Sequence, residues 1–276
     1  MKKNNKFFIS FVILTLFIFF LLLLFFLNKS LENFDSKKKI WAMTYGGGEK
    51  NYYDAVDRIK NELNNTKIFD EIITFSDIDL KNDTIFWKKH NEFIENNKRG
   101  NGYWLWKPYL IMKTLEMMNE NDILFHLDAG CEITDYSENA INDFKKMIEK
   151  CEKNYILYTN TDHNEKMYTK MDIFKHMDLI DENIMNSQQH QATLIIIKKT
   201  NIITEFIKDW YNISCNYNLI DDSDSINKND NSFIDNRHTQ STFSLLLKTQ
   251  KYQEKLNTDN NIINGYPIIL SRKRHG

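Results

Sequence analysis

Arg99-Gly100-Asn101-Gly102-Tyr103-Trp104-Leu105-Trp106-Lys107-Pro108, then a helix-length segment, then Asp122-Ile123-Leu124-Phe125-His126-Leu127-Asp128-Ala129-Gly130-Cys131-Glu132, decides the fold class of this chain. Gly100, Asn101 and Gly102 mark a tight turn. Pro108 suits the first turn of a helix from Lys107 to about Asn119, where its missing N–H costs nothing. Ile123 to Leu127 is a short apolar strand, and it delivers Asp128 at its carboxyl end, where α/β sheets place their ligands.

Outward from this core, strand and helix patterns alternate. Ile40 to Tyr45 reads as a buried strand, broken by Gly46-Gly47-Gly48 before helical periodicity from Tyr52 to Leu63. A second strand is expected at Ile68 to Phe75 and a helix at Thr84 to Asn96. Further strands are expected at Tyr155 to Thr159 and Ala192 to Ile197. Helices are expected near Ser137 to Lys150, Lys166 to Leu179, Thr200 to Tyr211 and Gln240 to Lys248. The alternation predicts an α/β domain with a mostly parallel central sheet flanked by helices. Asp, Asn and Ser dominate from Ile220 to Asn236, which reads as a polar loop with a functional or mobile role. The basic segment Ser271 to Gly276 is a solvated end or a phosphate contact.

The 276 residues are 42% hydrophobic, and Phe7 to Leu27 takes a large share as an unbroken run without charge, Gly or Pro. At about 1.5 Å rise per residue such a helix spans roughly the 30 Å hydrocarbon core of a bilayer. No convincing cleavage site follows, so the run reads as an uncleaved anchor. The predicted organisation is a short cytoplasmic tail at 1–6, a transmembrane helix at 7–27, a stem at 28–38 and one large α/β domain at 39–276. Lysines flank both ends of the anchor, so the preference for a domain across the membrane rests on the ease with which long domains translocate. Sequons at Asn28, Asn64, Asn82 and Asn212 suit a Golgi or ER lumenal domain in a eukaryotic host; otherwise a cell envelope or a viral host membrane is expected. A net charge of −2 gives no electrostatic reason for a nucleic-acid partner. Three cysteines, Cys131, Cys151 and Cys215, are too few for a disulfide framework and are expected as buried free thiols.

Several residues could carry chemistry. Ala129-Gly130 after Asp128 lets a ligand approach the backbone, and hard cations such as Mg²⁺ or Mn²⁺ bind through one or two carboxylates plus substrate phosphates. Asp128 would supply the direct contact, with Glu132 or a water as the second. Lys107 adds a cation to an anion-attracting helix N-terminus, and Tyr103, Trp104 and Trp106 are either core or aromatic platforms. Gly46 to Gly48 offers a second place for close approach. His238 is a metal or phosphate ligand or part of a capped helix start, and Gln240 could bond a sugar hydroxyl. Lys170 and Asp172 could form an ordinary surface salt bridge.

Gly102-Tyr103-Trp104-Leu105-Trp106-Lys107-Pro108, Leu127-Asp128-Ala129-Gly130-Cys131-Glu132, Tyr168-Thr169-Lys170-Met171-Asp172, Gln191-Ala192 and Arg237-His238-Thr239-Gln240-Ser241, in that order, resemble a family of nucleotide-sugar glycosyltransferases with the GT-A fold. The resemblance runs from about Ile40 to Lys248. It implies a Rossmann-like sheet binding a nucleotide-diphosphate sugar, with Mn²⁺ or Mg²⁺ on Asp128 and a glycan, lipid or protein acceptor. Under it Asp128, Glu132, Asp172 and Gln240 form the catalytic set, and Thr44, Tyr45, Gly102, Trp106, Lys107 and His238 hold the donor. Two positions depart from the family pattern. Asp128-Ala129-Gly130 stands where Asp-x-Asp is familiar, and Thr239 stands where an Asp precedes the Gln. These departures support a competing reading, a membrane-tethered nucleotide- or glycan-binding protein on an inactive scaffold. A third reading is a metal-dependent hydrolase using His126, Asp128, Glu132 and His238.

Overall fold

The computed structural model describes residues 17–23, 38–256, 258 and 261–273. The chain divides into two units, Met1–Lys38 and Lys39–Gly276. In the first unit, residues 17–23 are helical and exposed. The tail at 1–6, the rest of the expected span at 7–27 and nearly all of the stem lie outside the described residues. Among the described residues no helix is long and apolar enough to cross a membrane.

The second unit is built on a five-stranded sheet in the order β2-β1-β3-β5-β4. Its strands are β1 (Ile40–Tyr45), β2 (Glu71–Phe75), β3 (Ile123–Leu127), β4 (Ile156–Asn164) and β5 (Gln188–Lys198). β1 and β3 are buried along their whole length, as expected of strands covered on both faces. Side chains alternate between two layers. Trp41, Met43, Tyr45, Leu124, Ile195 and Ile197 pack with the helices Trp106–Met117, Asn201–Ser214 and Thr239–Leu247. Ala42, Phe125, Leu127, Leu194 and Ile196 pack with the helices Lys50–Thr66 and Glu138–Asn154. The helix Lys50–Thr66 shows why it sits there, since Ala55, Val56, Ile59 and Leu63 form one apolar stripe. The helix Trp106–Met117 is buried nearly all round its first turns.

The α/β expectation holds, but the sheet is mixed rather than mostly parallel in its pairing. β1 pairs parallel with β2 and β3, while β5 pairs antiparallel with both β3 and β4. β3 and β4 therefore point the same way, as a strand–helix–strand crossover requires. The returning β5 fills the gap between them. The expected helix from Lys166 to Leu179 is instead broken into Glu165–Tyr168 and Met171–His176, because β4 continues to Asn164 and Lys170 turns inward. The expected strand at 68–75 begins at Glu71, and β5 is longer than expected. Asp77–Asn82 and Gln250–Leu256 are additional helices. Cys131 and Cys151 are buried and Cys215 half-buried, all as free thiols.

Candidate functional site

The turn before Trp106 has an uncommon backbone. Gly100, Asn101, Gly102, Tyr103 and Trp104 all have positive φ, from 52° to 82°. For a side-chain-bearing residue this costs about 1–2 kcal/mol. Hydrogen bonds hold the turn: Gly102 N to Asn97 O at 2.8 Å, Tyr103 N to Arg99 O at 2.8 Å, and Trp106 Nε1 to Gly100 O at 3.0 Å. Gly102 is required twice over, by its φ of 82° and because a Cβ there would meet Ile94 Cγ1 at 2.7 Å. The strained turn fixes the direction in which the next helix starts. Trp106 stacks on Tyr45 with ring centroids 3.9 Å apart. Asn101 donates to the Tyr45 hydroxyl, which burial pushes to a higher pKa.

One residue further on, Lys107 Nζ lies 2.7 Å from Asp128 Oδ1 and donates to Ala192 O at 2.8 Å. The lysine side chain is 5% exposed and the aspartate 31%, so the aspartate is the more open member of the pair. The same oxygen of Asp128 is 3.6 Å from His126 Nε2, a fully buried atom with no hydrogen-bond partner. Burial drives the His126 pKa down and keeps its ring neutral. Burial works against the Asp128 charge, but the Lys107 ammonium beside it outweighs it and holds the carboxyl below its usual range.

The neighbourhood of the pair is braced from two sides. Gln240 accepts from Ala192 N at 3.3 Å and donates to Gln189 at 2.7 Å, so it steadies the residue whose carbonyl anchors Lys107. The turn after Asp128 is covered by the C-terminal segment, where Ser271 Oγ and Lys273 N both donate to Gly130 O. Arg58 donates to Ala129 O and Cys131 O from the helix side.

Other expected site residues are placed elsewhere. Glu132 pairs with Lys273 at 3.0 Å, and Ser271 and Lys273 lower its pKa. Asp172 accepts from Ile226 N, Asn227 N and Asn227 Nδ2, which clamps the polar loop. Lys170 does not pair with Asp172. It donates to Asn218 O and Asp221 instead, and is 3% exposed. His238 donates through Nδ1 to Ile220 O and stacks against the rings of Tyr103 and Trp104, which makes it part of the packing of that loop. Thr44 is fully buried and, by strand alternation with Met43 and Tyr45, projects toward the layer of the helix Lys50–Thr66, away from the Tyr45–Trp106 stack. Gly46 is small for packing, since a Cβ would meet Tyr52 O at 2.5 Å.

The donor set does not fit a resident divalent cation. Among the described residues no group of three or more His, Cys, Asp and Glu side chains is placed to hold one. Asp128 offers one uncommitted oxygen, and Glu132 is held by the C-terminal segment. Two side chains that sequence reading missed, Gln189 and Glu165, continue the brace behind Gln240; nothing in their local pattern distinguishes them from surface residues.

With this geometry in hand, the chain can be set beside known proteins. It is similar to the crystal structure of mouse xyloside xylosyltransferase 1, apo form, with a TM-score of 0.41 and 7% identity over 79% of this chain and 83% of that one. No protein-family model and no curated protein matches the chain.

Proposed function

We propose that the chain is a glycosyltransferase that moves a sugar from a nucleotide-diphosphate donor to a hydroxyl on a glycan, lipid or protein acceptor. The observation that carries the reading is the Lys107–Asp128 pair itself. Two of the five sequence stretches that resemble nucleotide-sugar transferases, Gly102–Pro108 and Leu127–Glu132, meet in this one contact of 2.7 Å, at the carboxyl ends of β1 and β3. In the proposed complex the nucleotide lies against the Tyr45–Trp106 stack, Lys107 meets phosphate charge, and the uncommitted oxygen of Asp128 accepts from a donor hydroxyl. In the reaction the bond from the anomeric carbon to the β-phosphate oxygen breaks, its electron pair leaving with the diphosphate. The acceptor oxygen bonds to that carbon and gives up its proton to water. A cation fixed beside the leaving group lowers the barrier as negative charge develops there. The anchor at 7–27 would hold this domain at a membrane with the N-terminus cytoplasmic.

A second reading, a binder on an inactive scaffold, draws on the commitments of Glu132 and Asp172, which leave neither carboxylate available as a base. A donor-hydrolysis screen of the full-length chain against uridine, guanosine and cytidine diphosphate sugars separates the two. Slow release of a nucleoside diphosphate, lost in Lys107→Met, supports the transferase. Binding without any release supports the binder.

A further inference from the structure

We infer that Lys107 is the resident cation of the site, so that a nucleoside diphosphate binds through a protein ammonium and needs neither Mn²⁺ nor Mg²⁺. This rests on the nucleotide-donor reading above and specifies how that site handles charge. The Asp128 oxygen nearest the protein already has the Lys107 ammonium at 2.7 Å and the His126 ring at 3.6 Å. A divalent ion on the other oxygen of the same carboxylate would stand within a few ångströms of that ammonium, and like charges at such range repel strongly.

Lys107 has no easy way to withdraw. Its side chain is 5% exposed, and its second acceptor, Ala192 O, belongs to a residue held by Gln240. Turning it away from Asp128 would leave an enclosed charge with a single carbonyl for company. Nor does a second carboxylate come to the ion's aid, because Glu132 is engaged with Lys273 at 3.0 Å. An ammonium carries three donors. Asp128 and Ala192 take two of them, and the third would go to a phosphate oxygen entering beside the partly exposed Asp128 carboxylate.

The test is a calorimetric titration of the full-length protein with uridine, guanosine and cytidine diphosphates, each in EDTA and in Mn²⁺. It is paired with paramagnetic resonance of free Mn²⁺ over the protein alone. The expected result is that one diphosphate binds in EDTA with a Kd within about threefold of its value in Mn²⁺, and that the protein alone does not deplete the free Mn²⁺ signal. Lys107→Met should weaken that binding by about tenfold or more, the loss of one charge-assisted hydrogen bond, and Lys107→Arg should restore part of it. The wild-type comparison does not depend on either variant folding. Binding that appears only with Mn²⁺, or stoichiometric Mn²⁺ uptake abolished by Asp128→Asn, overturns the inference while leaving the donor reading intact. No binding of any diphosphate in either condition removes the donor reading and this inference with it.

Discussion

Lys248 Nζ lies 2.7 Å from Glu165 Oε1, and both side chains are buried. The pair is fully provided for: Ser187 Oγ and Gln188 O also accept from Lys248, while Ser244, Thr169 and Gln189 donate to Glu165. Gln189 in turn accepts from Gln240, which steadies the anchor of Lys107. A polar network thus runs from the Asp128 pair to the far end of the helix Thr239–Leu247. Breaking a buried pair from one side strands a charge and costs about 3–5 kcal/mol. Glu165→Gln and Lys248→Met should each destabilise by that order in denaturant unfolding, and Glu165→Gln/Lys248→Met should lose clearly less than the sum of the two. Equal, additive losses in the double variant would show that the two charges are not coupled.

Gly102→Ala meets two penalties together. The positive φ costs about 1–2 kcal/mol, and the new methyl presses on Ile94 in a site with no slack, adding about 1–3 kcal/mol. Adding Ile94→Ala, which removes Cγ1, should return part of the second penalty and none of the first, once the cost of Ile94→Ala alone is subtracted. Equilibrium unfolding of the two variants checks this, and an unchanged midpoint for Gly102→Ala would mean that the left-handed turn is not as described.

Most of the sheet was legible because its strands are buried on both faces and therefore appear as short apolar runs, as in Ile40–Tyr45 and Ile123–Leu127. The direction of β5 was not, because an apolar run such as Ala192 to Ile197 looks the same in either orientation. The segment after β4 misled for a different reason. Its charged residues look like one face of a surface helix, whereas Glu165 reaches Lys248 and Lys170 reaches Asp221, partners 83 and 51 residues away. Periodicity sees only local spacing. In the site, the glycines announced a turn, but positive φ at Tyr103 and Trp104 leaves no trace in composition. Lys107 and Asp128 were each picked out, one for phosphate and one for metal; that they hold each other emerges only from the register of the helix Trp106–Met117 against β3.

Three buried histidines and the half-buried His190 set the acid limit of the fold. His90 and His238 are each pushed down to about 4, burial being the main cause, and His126 and His190 are also lowered. In the unfolded chain a histidine titrates near 6.5, so below that pH the unfolded state binds more protons. Stability is therefore full above about pH 6.5 and falls as the pH drops toward about 4. At about pH 5, His90 and His238 each contribute a loss of about 2 kcal/mol. Urea unfolding at a series of pH values should show the slope, and His238→Gln should flatten part of it. A flat profile across this window would mean that these rings are charged, or exposed, in the folded protein.

The two halves of the Lys107–Asp128 pair should not be equivalent under mutation. Removing the aspartate leaves an ammonium that is 5% exposed and bonded to one carbonyl, whereas removing the lysine leaves a carboxylate that is 31% exposed and can be reached by water. The cost of an uncompensated charge grows with its burial, so Asp128→Asn should destabilise by about 3 kcal/mol or more and Lys107→Met by less. A double-mutant cycle measures the coupling. The pH dependence gives an independent reading. Because the Asp128 pKa is lowered by its neighbours, its contribution is present above the unfolded value near 3.9 and is lost as the pH falls through the folded value. The gap between wild type and Asp128→Asn should accordingly start to narrow below about pH 4 and close only below the lowered folded value, where both carry a neutral side chain at this position. A gap that stays constant into strong acid would place the stabilisation in the shape of the aspartate rather than in its charge, and the ion pair would lose its role at the centre of the site.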